Sequence, residues 1–476
     1  MTASLAAPPA PVPPCPHLTG AFAPVAAEVD IADLPVTGRL PDGLDGAYLR
    51  NGSNPRFPPI GSYVHPLDGD GMLHRVTISG GRARYDNRFV RTPMVRAEEA
   101  AGRALWPGVT SRYRPGADLV GPILAGTLRE RPSAGVVRHG GRLLALAGWT
   151  RPYRIGPALE TLGPESFGGV LPAGIGGHPK IDPVTGQLLG FSCHTEPPFL
   201  TWTAVEPDGT ARPPAPVEGL DRPTLIHDMA ITRRFLVLVV APLYLDVAAA
   251  RRGVRLLAWR PEDGTRIALV PRDGGPVRWC DGTGEHAFWV WHVANARDGK
   301  SVADPAVDTV VLDHVEWERP PWLVPGVPAR PRLARAVVDP AAGWVRREVL
   351  ADLDVEFPRI DDRLLGADHR VAALAVATGR PHARPGCRDA LAWYDTRTGA
   401  IEQWRPRDLA VGEPAHAPDP DAPGGGWWLT LATRPTTGES ALLVIPAADP
   451  GSGPVATVHL PVRVPLGMHG TWLPAC

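Results

Sequence analysis

The feature that most constrains this chain is a repeated alternation of short β-rich runs with turns made of Asp, Pro and Gly. Such turns occupy residues 182–186, 207–210, 261–265, 339–343 and 395–399. Each predicts a hairpin, because an Asp side chain accepts hydrogen bonds from the turn backbone and Gly adopts a positive φ. The flanking runs are alternating or continuously apolar, as is typical of strands buried on one or both faces. The chain is therefore predicted to be all-β.

With 476 residues, the chain exceeds the usual length of a single domain. The hairpins follow one another without a linker, which favours one radial repeat, a β-propeller, over several domains. We expect a single propeller domain over 19–476, preceded by a disordered Pro-rich segment at 1–18. Helical pattern is scarce: the best candidate is 95–105, and 117–128 is a weakly apolar stretch broken by Gly and Pro. Together with Pro- and Arg-rich loops at 315–335 and 376–390, these segments are predicted to cap one face.

Composition excludes several classes of function. A formal net charge of −1 gives no reason to expect a nucleic-acid partner. The five cysteines are scattered without a C-x-x-C pair, which argues against a disulfide framework or a zinc knuckle. No apolar run approaches the roughly 18 residues of a membrane span, and the N-terminus lacks the basic region of a signal peptide. A cytoplasmic protein with no obligatory protein partner is predicted.

Four distant histidines carry the clearest chemical signal. His178, His227, His292 and His469 each lie in a short apolar or Gly/Pro-marked segment that resembles the end of a strand. Neutral imidazole is the commonest metal ligand in proteins. Their wide spacing excludes helical H-E-x-x-H sites and local zinc-finger patterns, whereas one ligand per blade suits the axis of a propeller. The other interpretation is four unrelated core histidines. Imidazole alone accepts zinc, copper, iron or nickel.

Several segments, taken together, resemble the carotenoid cleavage oxygenase family. They are GAYLRNGSNPRF (46–57), LDGDGMLHRV (67–76), ARYDNRFVRT (83–92), HPKIDPVTG (178–186), IHDMAIT (226–232), EFPRID (356–361), GEP (412–414) and MHGTW (468–472). The resemblance runs from about residue 19 to the C-terminus in the family's order. It implies a seven-bladed β-propeller with a loop and short-helix cap, and a non-haem Fe(II) on the axis. The same four histidines fall in the family's iron-ligand motifs.

The resemblance also implies glutamates that hold the ligand histidines. Glu356 matches the glutamate associated with His292, and Glu413 matches the one associated with His469. A third glutamate is expected in the family pattern L-A-L-x-E-x-G-x-P-Y, behind His227, but this chain has Gly148 there. Loss of such a partner typically costs about 10–100-fold in metal affinity or activity. His227 is therefore expected to lack its carboxylate.

The implied function is cleavage of a conjugated C=C bond in a carotenoid or apocarotenoid by O₂, giving two carbonyl products. The expected partners are an apolar small molecule and O₂, and segment 93–128 is a candidate for peripheral membrane contact. Phe89 is a candidate substrate-lining residue. Two alternatives stay open: a stilbene-type dioxygenase acting on a phenolic aryl-alkene, and a non-catalytic propeller that binds an apocarotenoid or lipid. The stilbene-cleaving branch is understood to hold its phenol with a Tyr and a Lys, and the chain has only Lys180 and Lys300.

Overall fold

The computed structural model describes residues 8–64, 68–109, 111, 113–246, 248–249, 256–281, 287–301, 304, 306, 308–321, 329–380, 387–467 and 469–475. Within them the chain forms 33 strands. In chain order these are β1 Asp30–Ile31, β2 Val36–Gly38, β3 Gly46–Ser53, β4 Gly71–Ser79, β5 Arg82–Phe89, β6 Val136–His139, β7 Arg142–Ala145, β8 Tyr153–Ile155, β9 Thr161–Pro164, β10 Lys180–Ile181, β11 Leu188–Cys193, β12 Leu200–Val205, β13 Ala215–Pro216, β14 Met229–Ile231, β15 Phe235–Val240, β16 Leu243–Leu245, β17 Leu257–Trp259, β18 Arg266–Pro271, β19 Arg278–Cys280, β20 Trp289–Lys300, β21 Asp308–Trp317, β22 Arg332–Asp339, β23 Trp344–Ala351, β24 Asp354–Arg359, β25 Val371–Ala377, β26 Ala390–Asp395, β27 Ile401–Trp404, β28 Ala410–Val411, β29 Ala415–Pro418, β30 Gly426–Thr433, β31 Ser440–Pro446, β32 Ala456–His459 and β33 Gly470–Pro474.

Seven antiparallel sheets make up the blades of the propeller. In strand order, blade 1 is β33-β3-β4-β5-β1, blade 2 is β6 to β9, blade 3 is β10 to β13 and blade 4 is β14-β15-β18-β19. Blade 5 is β20 to β23, blade 6 is β24 to β27, and blade 7 is β28-β30-β31-β32-β2, with β29 also paired to β30. Strands β16 and β17 form a separate two-stranded ribbon. The predicted all-β, seven-bladed fold is confirmed.

Both ends of the chain close the ring. The N-terminal strand β2 pairs with β32 in blade 7, where Val36 opposes Val458. The C-terminal strand β33 pairs with β3 in blade 1, where Tyr48 opposes Trp472. Each terminal strand therefore completes a sheet made mostly by the opposite end of the chain, which leaves fewer strand edges unpaired.

The hydrophobic core is divided among the spaces between blades. One buried cluster packs residues of β11 and β12 against β14, β15 and β18, so it lies between blades 3 and 4. Other clusters fill each remaining gap between consecutive blades. A further cluster, which includes Tyr85 and Leu442, joins blade 7 to blade 1. Because each blade buries both of its faces against its neighbours, the ring can grow without a single central core.

Helix α1 (Pro93–Ala101) begins at Thr92, whose side chain accepts from the Val95 N–H, and ends at Gly102 with φ 66°. Helix α2 (Ala117–Leu124) has no buried residue. Val120 and Leu124 of α2 pack beside Trp106. Short 3-10 helices lie at Pro16–Leu18, Gly20–Phe22, Pro261–Asp263, Asp362–Leu364 and Pro450–Ser452. None of the helices in the described ranges has the length and apolar character needed to cross a bilayer.

Four of the five predicted hairpin turns join paired segments, at 182–186, 207–210, 339–343 and 395–399. The hairpin predicted at 261–265 is wrong, because β17 before it pairs with β16, whereas β18 after it pairs with β15 and β19. The predicted helix at 95–105 is present as α1, which begins earlier and is shorter than its segment. In segment 117–128 only α2 is present, and it is interrupted at Gly121, whose φ of 75° is not helical. The predicted loops at 315–335 and 376–390 are shorter than expected, because β21, β22, β25 and β26 extend into them. Their middles, 322–328 and 381–386, lie outside the described residues. The domain boundary at residue 18 stays a prediction. The segment before it contacts the propeller where the Val12 N–H donates to Pro59 O at 2.8 Å.

Candidate metal centre

Four blades each bring one histidine to the same place. His178 precedes β10, His227 precedes β14, His292 lies in β20 and His469 directly precedes β33. The ring centroid of His178 is 4.5 Å from that of His227 and 4.6 Å from that of His469. The ring of His292 lies 4.8 Å from that of His469. Each of these segments belongs to the end strand of its sheet, so the histidines meet where the blades converge.

The ring nitrogens of this cluster face one another instead of protein acceptors. The Nε2 atoms of His178 and His227 are 3.1 Å apart, and the candidate ligand atoms of His178, His227 and His292 all lie within 4.8 Å of one another. The Nε2 atoms of His292 and His469 are buried and make no hydrogen bond within the described structure. Two nitrogens bound at right angles to one ion, each at about 2.1 Å, would lie about 3 Å apart. His178, His227 and His292 therefore fit a metal ion, and the ring of His469, with its unpartnered Nε2, lies beside them in the place of a fourth ligand.

Glu356 holds the ring of His292. Its Oε2 lies 2.6 Å from His292 Nδ1, and its Oε1 accepts from the indole N–H of Trp317 at 2.7 Å. Burial favours the neutral forms of both partners, but their mutual attraction outweighs it. The attraction between the two groups lowers the pKa of Glu356 and raises the pKa of His292. With Nδ1–H donated to the carboxylate, Nε2 presents its lone pair to the cluster.

Glu413 holds His469 in the same way and also fixes its backbone. Its Oε1 lies 2.9 Å from His469 Nδ1, while its Oε2 accepts from the Gly470 N–H at 2.9 Å and from Arg359 at 3.0 Å. Burial alone would raise the pKa of Glu413, but His469 and Arg359 lower it to about 2. The carboxylate is therefore charged at neutral pH and able to keep the ring in one orientation.

His178 and His227 have no such support. Their Nε2 atoms face each other, and no Asp or Glu of the described residues is hydrogen-bonded to either ring. Burial, followed by the neighbouring histidines, lowers the pKa of both rings well below the usual range. Both are therefore neutral at pH 7, the form that binds a metal. Gly148 lies against the backbone that precedes His178, since a Cβ built on Gly177 would be 3.3 Å from the Cα of Gly148.

Two aromatic rings, of Trp291 and Phe357, pack against the histidine cluster. Trp291 packs edge-on against His227, with 4.3 Å between ring centroids. Phe357 lies 5.1 Å from His292 and 5.8 Å from His469. Its φ of 54° is rare for a non-glycine residue, and the β-bulge between Glu356 and Arg359 accompanies it. The only sequence signal for Phe357 is its place between Glu356 and a proline.

A cavity of about 390 Å³ adjoins His178, His292 and His469. Lys180, Asp228 and Arg359 also line it. Phe89 is not brought to the histidines: it is buried on β5, three strands out from β33, and does not line this cavity. The motif that contains Phe89 resembles a family motif, but the structure does not place it at the histidines. The substrate-lining role of Phe89 stays a prediction.

Comparisons with known proteins agree with this site. The family described as "RPE65: Retinal pigment epithelial membrane protein" matches residues 22–474. The chain is 33% identical to the carotenoid cleavage oxygenase of Mycobacterium tuberculosis, over 96% of this chain and 97% of that protein. It superposes on the lignostilbene dioxygenase of Pseudomonas brassicacearum with a TM-score of 0.86, at 28% identity, over 98% of this chain and 100% of that one. Against cobalt-substituted apocarotenoid oxygenase of Synechocystis the TM-score is 0.81, at 26% identity, over 95% and 97% of the two chains.

The matched region spans all seven blades and every histidine of the cluster. The named relatives are oxygenases or dioxygenases. The chain therefore belongs to the RPE65 and carotenoid cleavage oxygenase family and is an oxygen-incorporating enzyme of the carotenoid cleavage type.

Proposed function

We propose that this protein is an Fe(II)-dependent dioxygenase that cleaves one conjugated C=C bond of a carotenoid or apocarotenoid. The observation that carries the proposal is the convergence of four imidazoles, two of which have buried Nε2 atoms without a partner in the described structure. His178, His227, His292 and His469 would hold the ion. An all-imidazole set accepts several metals, and the choice of iron rests on the family.

Iron, when bound, would supply the O₂ chemistry that protein side chains lack. The side chains have three other tasks. Glu356 and Glu413 keep two rings in the tautomer that offers Nε2. Trp291 and Phe357 cover the rings with apolar surface, which excludes water and suits a polyene. The protein as a whole orients one double bond next to the cluster.

The proposed reaction balances without a proton donor or acceptor. One alkene, R–CH=CH–R′, and one O₂ give R–CHO and R′–CHO, so both oxygen atoms end in the carbonyl products. The C=C bond and the O–O bond break, and two C=O bonds form. No general base is required, and neither Glu356 nor Glu413 is free to act as one, because each is committed to a histidine.

A stilbene-type reaction on a phenolic aryl-alkene is the second candidate, and the TM-score of 0.86 to a lignostilbene dioxygenase favours it. The lysines argue against it. Lys180 pairs with Asp228 at 2.8 Å, and Lys300 pairs with Asp308. Both ammonium groups thus already have a carboxylate partner, which makes them weaker candidates for holding a phenolate. A non-catalytic binding propeller is the third candidate, and it rests on the lost carboxylate at Gly148.

We also propose peripheral contact between helix α2 and a membrane surface, because polyenes partition into lipid. Ile123 is 88% exposed on α2, and Leu128, just beyond the helix, is 66% exposed. Exposed aliphatic side chains on a short helix bind a bilayer by burying apolar area.

A cytoplasmic location is also part of the proposal. It is supported by the thiols of Cys193 and Cys280, which form no disulfide within the described residues.

The test begins with protein reconstituted with Fe(II) under anaerobic conditions. Iron per chain is measured first, and then O₂ uptake with an apocarotenal and with a hydroxystilbene. Cleavage in ¹⁸O₂ is followed by mass spectrometry of both products. We expect one iron per chain, uptake with the apocarotenal, and label in both carbonyls.

Three results separate the candidates. Uptake with the hydroxystilbene alone would favour the second candidate. Full iron loading without turnover of either compound, but with tight apocarotenal binding, would favour the binding propeller. Failure to bind iron after anaerobic reconstitution would overturn the iron site itself.

A further inference from the structure

The carboxylate of Asp228 bonds to three consecutive blades. It belongs to blade 4, directly after His227, and its Oδ1 accepts from the Met229 N–H at 2.7 Å. The same oxygen pairs at 2.8 Å with the ammonium of Lys180, which lies in blade 3, two residues after His178. Its Oδ2 accepts at 2.9 Å from the backbone N–H of Val293 in blade 5, directly after His292. One buried carboxylate thus reaches the backbone or side chain next to three of the four histidines.

Glu413 provides a comparison within the same molecule. It belongs to blade 7 and bonds to Arg359 in blade 6 and to the Gly470 N–H in blade 1. Like Asp228, it ties three consecutive blades at the positions next to the cluster. Glu413 additionally holds the ring of His469, whereas Asp228 bonds to no histidine ring in the part of the chain that the structure describes. His178 and His227 therefore depend on their backbones for position, because no carboxylate holds their rings.

We propose that Asp228 is a positioning residue that sets the spacing of His178, His227 and His292, with Lys180 as its cross-blade partner. The inference rests on the proposed function only in that the histidines are taken as metal ligands. Asp228 is 2% exposed in its side chain and Lys180 17%, so the ion pair is largely shielded from bulk solvent, although both residues line the cavity beside the histidines. A buried charge left without its partner is costly, which makes this arrangement hard to distort.

The test compares Asp228→Asn with a matched control, Asp86→Asn. Asp86 is also 2% exposed and pairs at 2.7 Å with a mostly buried cation, Arg75. This pair joins β5 to β4 within blade 1, away from the cluster. Two measurements are made on each protein. The first is the set of histidine ring signals of the metal-free protein in ¹H–¹³C NMR spectra, assigned with single His→Gln variants. The second is affinity for Co²⁺ by chelator competition, with the visible absorption spectrum of the bound ion.

We expect Asp228→Asn to shift the ring signals of His178, His227 and His292, to weaken Co²⁺ binding by about ten-fold or more, and to alter the cobalt spectrum. Asp86→Asn should lower stability without either effect. Lys180→Met, which keeps the apolar stem, should give a smaller change in the same direction and carries the test if Asp228→Asn does not fold.

Unchanged ring signals and cobalt affinity in Asp228→Asn would overturn the proposal, as would equal effects in Asp86→Asn. If the wild-type protein binds no Co²⁺, the metal site of the proposed function fails. The ring signals of the metal-free protein then still decide whether Asp228 positions the three histidines.

Discussion

The ring of Phe357 lies 5.1 Å from the ring of His292, and Phe357 keeps this place with a left-handed backbone of φ 54°. A phenylalanine in this region is strained, and the proline that follows it disfavours helical conformations further. The strain is tolerated because the β-bulge directs Glu356 towards His292 and places the ring of Phe357 over the cluster. Strained residues concentrate at functional sites.

Phe357→Gly is expected to be more stable than Phe357→Ala, against the usual order of these residues in a strand. Both variants lose the ring, but only glycine removes the strain of the positive φ, which is about 1 kcal/mol. Urea unfolding of the two metal-free variants measures the difference. An alanine variant as stable as the glycine variant would contradict the strain.

His178→Gln and His292→Gln are both expected to lose the metal, but with different effects on the metal-free protein. His178 has no carboxylate on its ring, whereas loss of His292 leaves Glu356 buried with Trp317 and the Phe357 N–H as its remaining partners. Removing one member of a buried pair typically costs about 3–5 kcal/mol. Iron content and urea unfolding test this, and His194→Gln is the control, because the ring of His194 bonds to the Thr201 hydroxyl. Iron retained in either variant would remove that histidine from the ligand set.

Gly148→Glu is expected to tighten metal binding by up to about ten-fold. A Cβ at Gly148 would meet nothing within 4 Å, and its backbone is not in the left-handed region, so the new side chain is sterically accepted. The glutamate would restore the carboxylate that the family pattern places behind His227. Cobalt competition measures the gain, and Gly148→Gln controls for size. An equal effect from glutamine would show that charge is not the cause.

The lowered pKa of Glu316 predicts that part of the free energy of unfolding is lost in acid. This effect does not involve the histidine cluster. Burial alone would raise its pKa, but His314 and Arg347 lower it to about 2 from a usual 4.5. A depressed carboxyl pKa stabilises the fold above about pH 4.5, and this stability is lost as pH falls towards 2. Glu316→Gln should therefore cost about 3 kcal/mol at pH 7 and less than half of that at pH 3. Urea unfolding at the two pH values measures this; a pH-independent difference would contradict the assignment.

Ile123→Asp is expected to weaken binding to phosphatidylcholine vesicles roughly ten-fold or more, since a buried isoleucine contributes about 2 kcal/mol. The matched control is Val184→Asp, because Val184 is also 88% exposed but lies in the turn between β10 and β11 of blade 3. Vesicle co-sedimentation measures both. Equal binding by the two variants would exclude α2 as the contact.

Much of the fold could be predicted from sequence because its signals are local. The Asp and Gly turns are short-range chemistry, and each lies where β11, β18, β23 or β27 begins or just after β12 ends. The four histidines could be recognised by their motifs, and the structure brings them together. Their role as iron ligands, like the roles of Glu356 and Glu413, stays a prediction that the geometry supports.

What the sequence could not provide depends on contacts between blades. Asp228 is one residue from His227 in sequence, but its bonds to Lys180 and Val293 exist only after three sheets have packed. Phe89 was singled out because its motif resembled the family, yet strand order places it far out in blade 1. The positive φ of Phe357 likewise follows from the bulge in β24 and not from any local preference.

The pairing of β33 with β3 has a consequence for the order of assembly. His469 directly precedes β33, the final strand, so it reaches the other three histidines only when the C-terminal strand has joined the sheet that the N-terminal part of the chain began. The strands of blades 2 to 6 lie between β6 and β27, all of which precede His469 in the chain, so these blades can form before His469 is in place. The complete set of four histidines therefore belongs to the finished ring alone, and a metal held by all four could bind only after ring closure.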